Sequence, residues 1–253
     1  MIRRAKIRFT VAACAGAIAV VLPAAGAASS GGGAVGPSGG PSPSGAGTIP
    51  TQGNIVVTAS GDGITVSTRA SALLRNGLRF SGSVPSRDAG DTVEIERSGP
   101  RTGWTWEPTT QATVAQDGTF AAVWQTNHIG RFAIKALLLP PGGAAAASSS
   151  GWPTVTVTIY RPSGATLYGP GFWGRRTACG VALRRYTVGV ANRTLPCGTP
   201  VAVYYQGRTM ILPVIDRGPF ANGADWDLTM AAGRALGVDT TVMIGAVSLP
   251  RTG

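Results

Sequence analysis

From Ile55 to about Tyr160 the chain carries no apolar stripe of helical period; apolar residues recur instead at alternate positions in short runs. A period of two lines one face of a strand and leaves the other polar. "NIVVTAS", "GITVSTRA", "LRFSGSV", "TVEIERS", "ATVAQ", "TFAAVWQT", "GRFAIKALLL" and "TVTVTIY" read as strands, and "GDG", "AGD", "QDG" and "PPGG" as turns between them. Seven or eight short strands in about 105 residues fit an antiparallel β-sandwich of immunoglobulin type over 54–162, without the usual inter-sheet cysteine bridge. Trp104, Trp106 and Trp124 either form a platform for stacking sugars or pack the core and edges. His128 falls inside the strand pattern and reads as structural, "AAAASSSGW" (144–152) as a loop between the last two strands, and "RPSG" (161–164) as a junction.

The last part, 165–250, is also mostly β. "ATLYG", "YTVGVAN", "PVAVYYQ", "RTMILPVID" and "MIGAVSLP" are candidate strands, and "DLTMAAGRALG" is one short helix with Gly237 placed to stop it. Six or so strands in a stretch this short suit a small closed barrel. The expected fold class is therefore all-β, a sandwich followed by a six-stranded barrel with one helix.

The N-terminus has the build of an export signal. Arg3, Arg4, Lys6 and Arg8 precede an apolar stretch over 9–22 and the small residues "AGAA" at 25–28, with cleavage expected after Ala27. Cys14 is not a lipidation site, because the apolar run follows it. Residues 28–53, rich in Gly, Ser, Pro and Ala, cannot bury a core and read as a disordered linker. Losing the four signal cations takes the formal net charge from +11 to +7. An exported basic protein favours anionic surroundings such as wall polymers, acidic glycans or lipid head groups, unless the arginines are only a solvated surface. Nucleic acid fits neither the compartment nor the absence of an aromatic-studded basic motif. Cys179 and Cys197 remain after cleavage, and an even pair in an oxidising compartment reads as a disulfide. A metal would need more ligands than these two and the distant His128, so no metal site and no cofactor is implied.

Four motifs carry a resemblance. "ATLYGPGFWGRRTACG", "VGVANRTLPCGTPVAV", "VIDRGPF" and "DWDLTMAAGRALG" occur in the order seen in the double-psi β-barrel of rare-lipoprotein-A-like (RlpA-like) proteins, over roughly 165–249. The paired cysteines resemble the actinobacterial branch. "FSGSVPSRDAGDTVEIERS" and "VAQDGTFAAVWQTNHIGRFAIKA" resemble Ig-like modules of secreted actinobacterial proteins. The barrel resemblance implies a cell-wall role: binding peptidoglycan glycan strands, and in some members cleaving them as lytic transglycosylases. A wall enzyme is a second kind of partner that it implies.

In a lytic transglycosylase the muramyl 6-hydroxyl displaces the leaving group, so one carboxyl group serves as acid and then as base. The barrel holds four acids, Asp216, Asp225, Asp227 and Asp239, with no glutamate and no histidine. Asp227 matches the family's general-acid aspartate, and a groove beside Trp226 would raise its pKa. The open alternative makes it a helix cap, or a carboxylate favouring the helix end while Thr229 caps. Asp216 either fixes the turn of "DRGPF", pairs with Arg217 or orients a substrate hydroxyl. Asp225 reads as exposed and Asp239 as a turn residue. Tyr168, Phe172 and Trp173 would stack on sugar faces or pack the barrel mouth, and Arg175 and Arg176 would meet carboxylates. Thr177, Asn192, Arg217 and Trp226 complete the expected substrate-binding set. Two positions depart from the family pattern: Val181 stands where many members have glutamate, and Asn192 where they have histidine. Two functions lead, a transglycosylase and a non-catalytic module that binds wall glycan or a partner; a secreted inhibitor or signalling domain is a third that the resemblance leaves open.

Overall fold

The structure is a computed structural model that describes residues 51–139, 141, 151–221 and 223–251. The expected export signal and all of the expected linker except residues 51–53 lie outside the described residues, as does most of the 144–152 loop. Among the described residues no helix is long and apolar enough to cross a membrane.

The first half forms two sheets. One has the order β2 (Val56–Gly61), β3 (Ile64–Arg69), β5 (Gly77–Ser83) and β8 (Thr119–Gln125). The other runs β4 (Ser71–Leu73), β10 (Thr154–Tyr168), β9 (Gly130–Leu139), β6 (Thr92–Ser98) and β7 (Glu107–Thr113). Their inward residues share one core that includes Phe80, Ile95, Trp124, Phe132 and Ile134. The alternation expected from the sequence is plain in β8, where Phe120, Ala122 and Trp124 are buried and the residues between them exposed. One pairing departs from the antiparallel expectation: β4 lies parallel to β10.

β10 is the element the sequence divides in two. It runs through "RPSG" without a break, pairing with β9 up to Ile159 and with β15 (Val242–Ser248) from Arg161. At the crossover a small apolar cluster of Tyr160, Ala202 and Val247 packs against Leu73 and Tyr204, the two tyrosine rings lying 5.5 Å apart. A strand that serves both sheet systems leaves no flexible hinge at 161–164.

The second half is a closed barrel. Around the ring the strands are β10, β15, β12 (Pro200–Tyr205), β13 (Arg208–Asp216), β11 (Val190–Ala191) and β14 (Trp226–Thr229), and β14 returns to β10. The pairs β10–β14 and β11–β13 are parallel, and the other four are antiparallel. Val190, Leu212, Val214, Leu228 and Ile244 fill the interior. The helix α1 (Met230–Leu236) begins later than the sequence suggests, because "WDLT" is a strand. Thr229 caps it, its hydroxyl accepting from the Ala232 amide, and Gly237 ends it in the left-handed conformation that glycine adopts without penalty. The end of the tract read as disordered linker is ordered: β1 (Thr51–Gln52) pairs with Arg208 and Thr209 on β13.

Candidate functional site

Two strands with period-two alternation build the site. On β14, Trp226 and Leu228 point into the barrel core, which turns Asp227 to the outer face. On β10, Ala165 and Leu167 belong to the core and turn Thr166 and Tyr168 outward. The register sets Thr166 opposite Asp227, Asp227 opposite Ala191, and Ala191 opposite Asp216. Thr166, Asp227, Ala191 and Asp216 therefore form one row across four neighbouring strands. Strands lie about 4.8 Å apart, so the two aspartate Cα atoms, one on either side of Ala191, are roughly 10 Å apart.

The two carboxyl groups have different surroundings. Asp227 is partly buried, and its Oδ1 accepts from the Thr166 hydroxyl at 2.9 Å. Burial pushes its pKa up; the Thr166 hydrogen bond opposes this, and the Asp216 charge adds to the rise. The net direction is upward from the ordinary carboxylate value. Asp216 lies at the end of β13 and its Oδ1 accepts from the amides of Ala178 and Arg217, both at 2.8 Å. Those bonds fix its orientation. The Tyr168 hydroxyl is buried and has no hydrogen-bond partner. Desolvation pushes its pKa up, and the charges of Asp216 and Asp227 push it further, so the phenol stays protonated as an unused donor near both carboxyl groups.

Residues 163–246 match the family described as lytic transglycolase. A probable endolytic peptidoglycan transglycosylase RlpA from Synechocystis sp. is 43% identical over 96 residues, covering 36% of this chain and 30% of that protein. A protein of the same description from Aquifex aeolicus is 41% identical over 76 residues, covering 29% of this chain and 34% of that protein. The barrel is RlpA-like. The chain spans about a third of the length of these curated relatives. Among solved structures, a Streptomyces papain inhibitor aligns at 26% identity and a TM-score of 0.30, over 35% of this chain and 93% of that one, a likeness too slight to carry an argument.

The other residues expected to line the groove of the RlpA-like barrel divide by what holds them. Trp226 is 8% exposed and sits in the barrel core, so it neither lines a groove nor flanks Asp227; β-strand alternation puts neighbours on opposite faces. Thr177 is buried, and its hydroxyl accepts from the Val181 amide, closing a turn. Asn192 Oδ1 accepts from the amides of Thr194 and Leu195 and its Nδ2 reaches the Asp225 carbonyl, so the side chain is committed to its own loop. Arg217 donates to the Asn192 carbonyl and approaches Cys197 Sγ. Trp173 is half-buried, its ring over Gly169, where a Cβ would lie 2.3 Å from Cη2. Arg175 and Phe172 are exposed. Asp225 and Asp239 are both exposed. Thr166 and Ala191 were not singled out by sequence, although the alternation of "ATLYG" puts Thr166 on the face of Tyr168.

Cys179 and Cys197 form a disulfide with Cα atoms 5.6 Å apart. It fastens the loop that presents the Ala178 amide to Asp216. Replacing both cysteines with serine is expected to lower stability by about 2–4 kcal/mol. A thermal melt of the variant against the wild type, each with and without reductant, checks this: reductant should lower the wild-type Tm and leave the variant unchanged.

Proposed function

We propose that this is an exported, cell-wall-associated protein whose barrel cleaves peptidoglycan glycan strands as a lytic transglycosylase. The observation that carries the reading is Asp227: an outward, partly buried carboxyl whose pKa is raised by desolvation, in a row with Asp216. Asp227 gives its proton to the glycosidic oxygen as the bond from muramyl C1 breaks. The 6-hydroxyl of the same sugar then attacks C1, and the Asp227 carboxylate takes that hydroxyl's proton, which regenerates the acid and leaves a 1,6-anhydro ring. The Asp216 carboxylate, held by two amides, orients the substrate and favours the cationic transition state. The Tyr168 hydroxyl, buried and neutral, adds no charge of its own beside the two carboxyl groups.

A second reading, a non-catalytic wall-binding barrel, is favoured by Val181 and Asn192. The first cannot exchange a proton, and the second has its amide tied into a loop. The protein without residues 1–27, incubated with purified sacculi stripped of stem peptides, separates the two. Anhydro-muramyl products by mass spectrometry support transglycosylation. Reducing muramyl ends would make it a hydrolase instead, and sedimentation with the sacculi without soluble product would make it a binding module.

A further inference from the structure

A cleft of about 470 Å³ opens where the sandwich meets the barrel, well apart in sequence from the aspartate row. Its walls include Arg69 on β3, Arg79 and Ser81 on β5, Asn76, Asn54 and, from barrel strand β12, Tyr204. Val66, Thr68, Leu78 and Phe80 are buried on the inner side of the sheet, so alternation turns Arg69 and Arg79 outward into this cleft, and both are exposed. Ser67 pairs with Ser81 and Thr68 with Phe80, and continued one residue past that last pair the same register sets Arg69 against Arg79. Cβ atoms of directly opposed residues lie about 4.5–5.5 Å apart, and like charges so placed repel.

Among the described residues, nothing in the cleft relieves that repulsion. Its lining contains no aspartate or glutamate, and among the described residues neither guanidinium has a carboxylate partner. Elsewhere in the sandwich cations that leave water are paired, Arg97 with Glu107 at 3.1 Å and Lys135 with Glu96 at 2.7 Å. The rest of the cleft wall is hydroxyl and amide: Ser67 and Ser81 face each other, and the Tyr204 hydroxyl donates to Asn54 Oδ1 at 2.7 Å.

We propose that this cleft binds an anionic polyol chain. Arg69 and Arg79 straddle one phosphate or carboxylate group, each fork donating to its oxygens, and the serine and asparagine side chains meet the chain's hydroxyls. The site draws on both modules, so the continuous strand β10 holds it at a fixed distance from the aspartate row whatever reaction that row performs.

The test measures binding of the full-length protein to poly(glycerol phosphate) and to polyglucuronate by titration calorimetry at fixed salt. Wild type should bind one or both, and the polymer that binds identifies the anion as phosphate or carboxylate. The pair Arg69→Gln/Arg79→Gln should weaken that binding by at least about tenfold. Arg87→Gln/Arg101→Gln removes the same charge outside the cleft and should leave binding nearly unchanged. Without ligand, the cleft variant should melt at or above the wild-type temperature, because a repulsive pair has been removed. Failure of both polymers to bind, equal losses in the two double variants, or a lower melting temperature for the cleft variant would each overturn the proposal.

Discussion

Asp227→Asn is expected to lower turnover on stripped sacculi by about 10²–10⁴-fold while leaving sacculus binding within a few-fold of wild type. Asparagine keeps an oxygen to accept from Thr166 and nearly the same volume, so the row on the outer face survives and only the transferable proton is lost. The pH profile is the sharper check. An acid must enter the reaction protonated, so kcat/KM should fall as pH rises through the raised pKa of Asp227. The same burial has an opposite signature in stability. A carboxyl whose folded pKa lies above its unfolded value binds more protons when folded, so it penalises the fold once pH has risen through that window. Asp227→Asn should therefore melt higher than wild type at neutral pH, and the difference should vanish as pH falls below the ordinary value of 3.8. A variant that melts at or below wild type at neutral pH would mean the carboxylate is structurally satisfied and not poised as an acid. Thr166→Val should keep the falling limb but shift it to higher pH, since the hydrogen bond that it removes lowers the Asp227 pKa.

Much of this arrangement is legible in the residues. The period-two runs place the sandwich strands, and the small acid inventory of the barrel reduces the search for a proton donor to four positions. What the chain hides is non-local. "WDLT" merges into a helical pattern, and only its pairing to distant strands, parallel to β10 some sixty positions earlier and antiparallel to β11, makes it a strand. Once it is a strand, Asp227 and Trp226 must face opposite ways, which separates two residues that the sequence puts together. Asn192 illustrates a related difficulty. A short polar side chain suits a sugar hydroxyl and an Asx turn equally well, and only the positions of the Thr194 and Leu195 amides decide for the turn. The junction expected at "RPSG" stands where β10 passes from β9 to β15, but the strand runs through it unbroken although Pro and Gly usually punctuate. Here Pro162, which lacks an amide donor, sits where β10 exchanges one sheet partner for another.

Trp124→Ala is expected to destabilise the sandwich by about 3–5 kcal/mol, the cost of deleting a large buried ring that neighbours cannot fully replace. The tryptophan is 3% exposed and meets Phe132 edge-on at 6.0 Å. The guanidinium of Arg97 lies 5.4 Å from both ring centroids, so this cation is shielded from water chiefly by the two aromatics. Arg97 in turn donates to Glu107 and Asn127, which ties β6, the start of β7 and the turn after β8 to one buried charge. Removing Trp124 leaves a cavity and also exposes one side of Arg97, and the two losses act on the same strands. Trp124→Phe keeps an aromatic face toward Arg97 and should cost clearly less. Trp104, 68% exposed, provides the contrast: Trp104→Ala should change stability by no more than about 0.5 kcal/mol. Urea denaturation followed by tryptophan fluorescence measures all three variants. Equal midpoints for the Trp124 and Trp104 alanine variants would return Trp124 to the surface, as a ligand-stacking ring, and would remove the aromatic pair from the account of how Arg97 is buried.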